Sequence, residues 1–101
     1  MDISLPLPRG TSGASYLERL GEGLRRLEPR YRMAFVVAGT DVLQSDPLGG
    51  LALSVDDCIV RDKLVLDRLD ALGIPAVMLG GGYGPDSATA ILRSILANAH
   101  R

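Results

Sequence analysis

Two periodicities of apolar and polar residues alternate along the chain. Residues 33–38 and 75–79 contain short continuous apolar runs, Ala34-Phe-Val-Val-Ala38 and Ala76-Val-Met-Leu79, the pattern of strands buried on both faces. Between and around them, apolar residues recur at helical spacing. Residues 13–28 carry Tyr16, Leu17, Leu20, Leu24 and Leu27. Residues 55–72 carry Val55, Cys58, Ile59, Leu66, Leu69 and Leu72, and residues 85–99 carry Ala88, Ile91, Leu92, Ile95 and Leu96. The order helix, strand, helix, strand, helix predicts an α/β fold. Strand, crossover helix, strand is the βαβ unit, so the two strands should run parallel. Parallel strands end on one edge of their sheet, and open α/β sheets bind ligands at that edge.

The ends of these elements are marked by residue type. Ser12 suits the N-cap of the first helix and Pro29 closes it, while Gly21 and Gly23 weaken it by about 1 kcal/mol each relative to Ala. Ser54 and Asp57 have the spacing of a capping box, and Asp56 and Asp57 suit the positive end of the helix dipole. Arg61, Asp62, Lys63, Asp67, Arg68 and Asp70 read as the solvated face of that second helix. Gly73 is its stop and Pro75 prevents its return. Pro85 suits the first position of the last helix, with Asp86 in its first turn. The arm before the first helix contains Pro6 and Pro8, and its Ile3–Leu7 stretch offers a third strand. Residues 39–54 make a long aperiodic loop whose path Asp46-Pro47 and Gly49-Gly50 would fix. Two strands alone leave bare sheet edges, which predicts that the chain is part of a larger sheet, and that alone it is marginally stable and self-associates through those edges.

Composition narrows the partners. A length of 101 residues suits one domain, and a net charge of −1 gives no electrostatic case for nucleic acid or an anionic membrane. No apolar run approaches the ~20 residues of a membrane span, and no basic-then-apolar start suggests a signal peptide. Cys58 is the single cysteine, which excludes an intramolecular disulfide and fits a reducing cytoplasm; its place on an apolar helix face reads as core.

Two residues carry the candidate chemistry. Asp41 follows the first strand, and Tyr83 follows the second across Gly80-Gly-Gly82. Parallel strands should bring both to one crevice. Each has an unremarkable alternative: Asp41 as a turn carboxylate capping backbone amides, and Tyr83 as an aromatic packing on the last helix. Asp46 reads as an Asx-type turn before proline. Gly80–Gly84 also reads as a phosphate loop at a helix N-terminus, but it lacks GxGxxG spacing and no GK[ST] follows.

Ala38-Gly-Thr-Asp41, then Asp46-Pro-Leu-Gly-Gly50, then Gly80-Gly-Gly-Tyr83 resemble the C-terminal third of the zinc-dependent deacetylases. These are the histone deacetylase, acetylpolyamine amidohydrolase and acetoin-utilisation family, and the match is nearest to class IV-like and bacterial members. Leu5-Pro-Leu-Pro-Arg-Gly-Thr11 and Tyr16-Leu17 are similar to the loop and helix before this strand. The resemblance implies a part of the three-layer arginase–deacetylase fold, with helices on both faces of the sheet. It implies zinc-dependent hydrolysis of an acetyl-lysine or acetylated amine. Asp41 falls on the family's third zinc ligand, an oxygen donor to a metal that activates water and polarises the carbonyl. Tyr83 falls on the catalytic tyrosine, whose hydroxyl would donate to the developing oxyanion. Gly81 and Gly82 would let the backbone approach the acyl chain, and Asp46, Gly49 and Gly50 would shape the loop. The family's Asp-x-His and His-His motifs are absent; His100 is the only histidine. The expectation is a segment with half an active site, inactive alone. The rival expectations are a non-catalytic truncated remnant or partner-binding α/β module, and a nucleotide-binding domain.

Overall fold

A computed structural model describes residues 3–45, 50–81, 84 and 86–99. Its elements are α1 (Gly13–Arg25), β1 (Ala34–Gly39), α2 (Val55–Ala71), β2 (Ala76–Gly81) and α3 (Ser87–Asn98). β1 and β2 pair in parallel, with Ala34 opposite Ala76 at one end and Gly39 opposite Gly81 at the other. Here α2 is the crossover, so the expected βαβ unit is present.

The helix starts follow the side chains foreseen for them. Ser12 Oγ accepts from the Ser15 amide at 3.3 Å. At α2, Ser54 Oγ accepts from the Asp57 amide at 3.1 Å and Asp57 Oδ2 accepts from the Ser54 amide at 3.0 Å, a complete capping box. α2 ends in a Schellman turn. Gly73 has φ +71°, its N–H donates to Asp70 O at 3.0 Å, and the Ile74 N–H donates to Leu69 O at 2.9 Å. Ile74 and Leu69 are both buried, supplying the apolar contact of that motif.

Boundaries move where tertiary contacts compete. α1 stops at Arg25, short of Pro29, and Arg68 of α2 bonds carbonyls at this end: Nε donates to Leu24 O at 2.9 Å and Nη2 to Leu27 O, just beyond the helix, at 3.3 Å. β2 continues through Gly80 and Gly81, beyond the expected end at residue 79, because Ala38 and Gly39 remain to pair with them. Asp86 is the N-cap of α3 and not a first-turn residue, and makes no capping bond with its side chain. The arm 3–7 forms no strand. Its Leu5 and Ile3 side chains instead lie over α1 at Gly23, where an added Cβ would come 2.9 Å from Leu5 Cδ1. That packing holds a helix that two glycines weaken.

Much of the core lies off the strands. Leu43, Leu53, Cys58 and Ala90 form one buried cluster, with Tyr16, Val42, Leu51 and Val55 packed against it. Leu43 and Leu53 belong to the stretch that reads as an aperiodic loop. Parallel bridges Leu43–Leu53 and Ser12–Ala52 give that stretch its path.

Three expectations of burial are corrected. The strands are not buried on both faces: Phe35 is 69% and Val37 79% exposed, and Val77 and Leu79 lie on the same uncovered side. The apolar stripe of α3 is turned outward. Leu92, Ile95 and Leu96 are exposed, and Ala90 and Ser94 face inward. Finally, Arg61 and Asp62 are not on the wet face of α2; they are 6% and 5% exposed. The physical reason is mutual neutralisation, described below. Among the described residues no helix is long and apolar enough to cross a membrane.

Candidate functional site

The rim at the C-terminal ends of the parallel strands is built from the Thr40–Ser45 turn. Past Gly39 the chain bends, and the Leu43 N–H donates to Thr40 O at 3.1 Å. Gln44 N–H donates to Leu53 O at 2.9 Å and Leu53 N–H to Val42 O at 3.2 Å. Leu43 anchors the turn in the core, which leaves Asp41 exposed at the rim.

Three polar contacts fix this turn from outside. Thr40 Oγ1 and Ser87 Oγ lie 2.6 Å apart, with Thr40 only 2% exposed. Ser45 Oγ donates to Asp86 Oδ2 at 2.9 Å. Both ends of the turn are therefore fastened to consecutive residues at the start of α3. The third contact comes from α2, where Arg61 Nη1 donates to Gly39 O at 2.6 Å.

Arg61 is itself held. Its Nε donates to Asp62 Oδ1 at 2.8 Å, and Ser94 Oγ of α3 donates to Asp62 Oδ2 at 2.6 Å. Burial acts to lower the guanidinium pKa, but the hydrogen bond and charge of Asp62 outweigh it and raise the pKa above its ordinary value. Arg61 is thus a permanent cation, neutralised by a buried carboxylate. Next to it, burial is the main influence raising the Cys58 thiol pKa, so that side chain stays a neutral core residue.

The sequence-derived site residues fall as follows. Asp41 is at the rim, two residues past Gly39. Gly81 is the last residue of β2, inside the ladder opposite Gly39. Gly50 accepts a bond from the Gly10 N–H through its carbonyl, and a Cβ there would come 3.1 Å from Arg9 Cγ. Tyr83, Gly82, Asp46 and Gly49 lie outside the described residues, as does His100. The supporting residues Thr40, Ser45, Arg61, Asp62, Asp86, Ser87 and Ser94 escaped the reading by residue type. Spacing could have found two of them. Arg61 and Asp62 follow Cys58 by three and four residues and precede Leu66 and Leu69 on the same helical face.

Among the described residues no group of three or more His, Cys, Asp or Glu side chains could hold a metal ion. A catalytic zinc takes three protein ligands. The described residues therefore do not compose a complete zinc site.

In open parallel α/β sheets ligands bind outside the C-terminal ends of the strands, the edge that carries Asp41 here. Comparison with known proteins gives that edge a family. The model of the histone deacetylase domain matches residues 1–99. The chain belongs to the histone deacetylase domain family, and its fold is part of the arginase–deacetylase architecture. It is 38% identical over 98 residues to histone deacetylase 2 of Arabidopsis thaliana, covering 94% of this chain and 25% of that protein. It is 34% identical over 95 residues to acetylpolyamine amidohydrolase of Burkholderia pseudomallei, covering 92% and 27%. An uncharacterised Picosynechococcus protein matches over 104 residues at 35% identity, covering 99% and 35%. The chain spans a quarter to about a third of the length of these relatives.

Proposed function

We propose that this chain is the C-terminal segment of a zinc-dependent deacetylase domain, acting on an acetyl-lysine or acetylated amine. In this reading Asp41 is one zinc ligand and Tyr83 is the catalytic tyrosine. Gly81 and Gly82 border the acyl chain, and Asp46, Gly49 and Gly50 shape the loop. The Tyr83 hydroxyl would donate to the amide oxygen as it gains charge, an interaction worth about 3–4 kcal/mol in such sites. The observation that carries the reading is family membership over residues 1–99 combined with an exposed carboxylate just past a parallel strand. The other zinc ligands and the His-His pair would come from outside this segment. The protein would work in the cytoplasm, where the Cys58 thiol stays reduced.

The test is a chimaera in which this chain replaces the matching segment of an acetylpolyamine amidohydrolase. Expected are zinc-dependent release of acetate, loss of zinc and activity in Asp41→Ala, and loss of activity with zinc retained in Tyr83→Phe. A folded, active chimaera indifferent to Asp41→Ala refutes the ligand assignment. Zinc-dependent acetate release by the 101-residue chain alone would refute the half-site.

The uncovered apolar surface supports a second reading, a non-catalytic module. Phe35, Val37, Val77 and Leu79 on the sheet, and Leu92, Ile95 and Leu96 on α3, would then associate with a second copy or another chain.

A further inference from the structure

We infer that Arg61 is the positioning residue of the Asp41 turn, acting through the Gly39 carbonyl and held in place by Asp62 and Ser94. The inference rests on the assignment of Asp41 as a zinc ligand for its functional meaning, but its geometry stands apart from that assignment.

Burying a guanidinium and a carboxylate is unfavourable, and an apolar pair of similar volume often serves stability as well or better. α2 nevertheless buries both where Arg61 reaches the C-terminal end of β1. One face of the guanidinium fork goes to Asp62, and Nη1 goes to Gly39 O. The second carboxylate oxygen of Asp62 goes to Ser94, which ties the trio to α3. α3 in turn holds the turn directly through Ser87 and Asp86. The Asp41 backbone is therefore bracketed. Arg61 holds the residue two before it, Ser87 the residue immediately before it, and Asp86 the residue four after it. A metal ligand must be held within about 0.5 Å of its productive geometry by a supporting shell, and an exposed turn does not supply that by itself.

Arg68 offers an internal control. It is also an arginine of α2 that donates to backbone carbonyls, but at Leu24 and Leu27, at the C-terminal end of α1. If Arg61 were only another clamp between elements, loss of either arginine would loosen the molecule in the same way.

The test is native-state amide hydrogen exchange on the full chain without metal. The reporters are the Leu43 and Gln44 amides, whose acceptors are Thr40 O and Leu53 O. The references are the Ala34 and Ile74 amides, bonded to Pro75 O and Leu69 O. Arg61→Lys keeps the charge and loses the fork. It should raise exchange at Leu43 and Gln44 about tenfold or more, with Ala34 and Ile74 unchanged. Arg68→Lys should instead release the Arg26 and Leu27 amides and leave the reporters alone. Should Arg61→Lys fail to fold, Ser94→Ala decides by the same criterion, with a smaller rise confined to the same two amides. Reporters that do not move, or that move together with Ala34 and Ile74, overturn the inference. Because no metal is present, this result and the zinc test above can fail independently.

Discussion

A Cβ added to Gly13 would overlap the carboxylate of Asp57. The first residue of α1 thus packs on the side chain that completes the capping box of α2, and the two helix starts meet at that carboxylate. Gly13→Ala must push Asp57 off the Ser54 amide. Loss of such a cap costs about 1 kcal/mol. In an Asp57→Ala background the collision is gone, and alanine favours helix over glycine by up to about 1 kcal/mol. Urea unfolding should therefore find Gly13→Ala destabilising in the natural sequence and neutral or stabilising beside Asp57→Ala, a strongly non-additive pair.

The Arg61–Asp62 pair should behave as a buried ion pair. Asp62→Leu leaves Arg61 with an uncompensated buried charge, and should cost about 3–5 kcal/mol. Adding Arg61→Met should recover most of that loss, because no charge remains buried. The double variant still lacks the donor to Gly39 O, so its Leu43 and Gln44 amides should stay fast. Recovered stability with a loose turn would separate holding the fold from holding the rim. Denaturation and exchange on the same samples check both halves.

The Cys58 thiol gives a pH dependence with a definite sign. Its folded pKa lies above the unfolded one, chiefly through burial, with Asp62 and Asp57 adding to the rise and Arg61 opposing it. At neutral pH both states hold the proton and nothing changes. Above about pH 8.5 the unfolded chain loses its proton first, so stability falls at up to about 1.4 kcal/mol per pH unit until the folded thiol ionises. Melting curves between pH 8 and 10 should show this slope, and Cys58→Ala should abolish it even though it lowers stability overall. A thiol reagent at pH 8 should react with the native chain far more slowly than with the urea-unfolded one.

The uncovered sheet face should govern association. Phe35 and Val37 side by side on a parallel edge strand form the kind of surface that recruits another chain. Sedimentation velocity should show mass rising with concentration. Val37→Lys should reduce that rise while changing monomer stability by no more than about 0.5 kcal/mol, since the side chain is already 79% exposed. A sharp, strictly monomeric transition in the natural chain would count against the association.

Local signals proved legible wherever the competing interaction was also local. Ser12, Ser54, Asp57 and Gly73 mark helix ends because their bonds reach only a few residues along the chain. The parallel pairing followed from a strand–helix–strand order that admits one connection. The family could be read from glycines and carboxylates at fixed spacing, which the match over residues 1–99 bears out. Burial was less legible. The outward stripe of α3 is apolar by periodicity, but its inward positions are the small Ala90 and Ser94, which let α3 approach α2 closely.

The chain by itself determined its elements, their caps, their parallel order and the rim that Asp41 occupies, because each depends on neighbours in sequence or on chain connectivity. Only the tertiary structure decided that Arg61 and Asp62 lie inside, that Leu43 and Leu53 make the core, and that α3 fastens both ends of the Asp41 turn. The physical reason is distance along the chain. A charge is expelled from the interior unless a partner neutralises it, and here the partners that allow its burial include Gly39 and Ser94, 22 residues before Arg61 and 32 after Asp62.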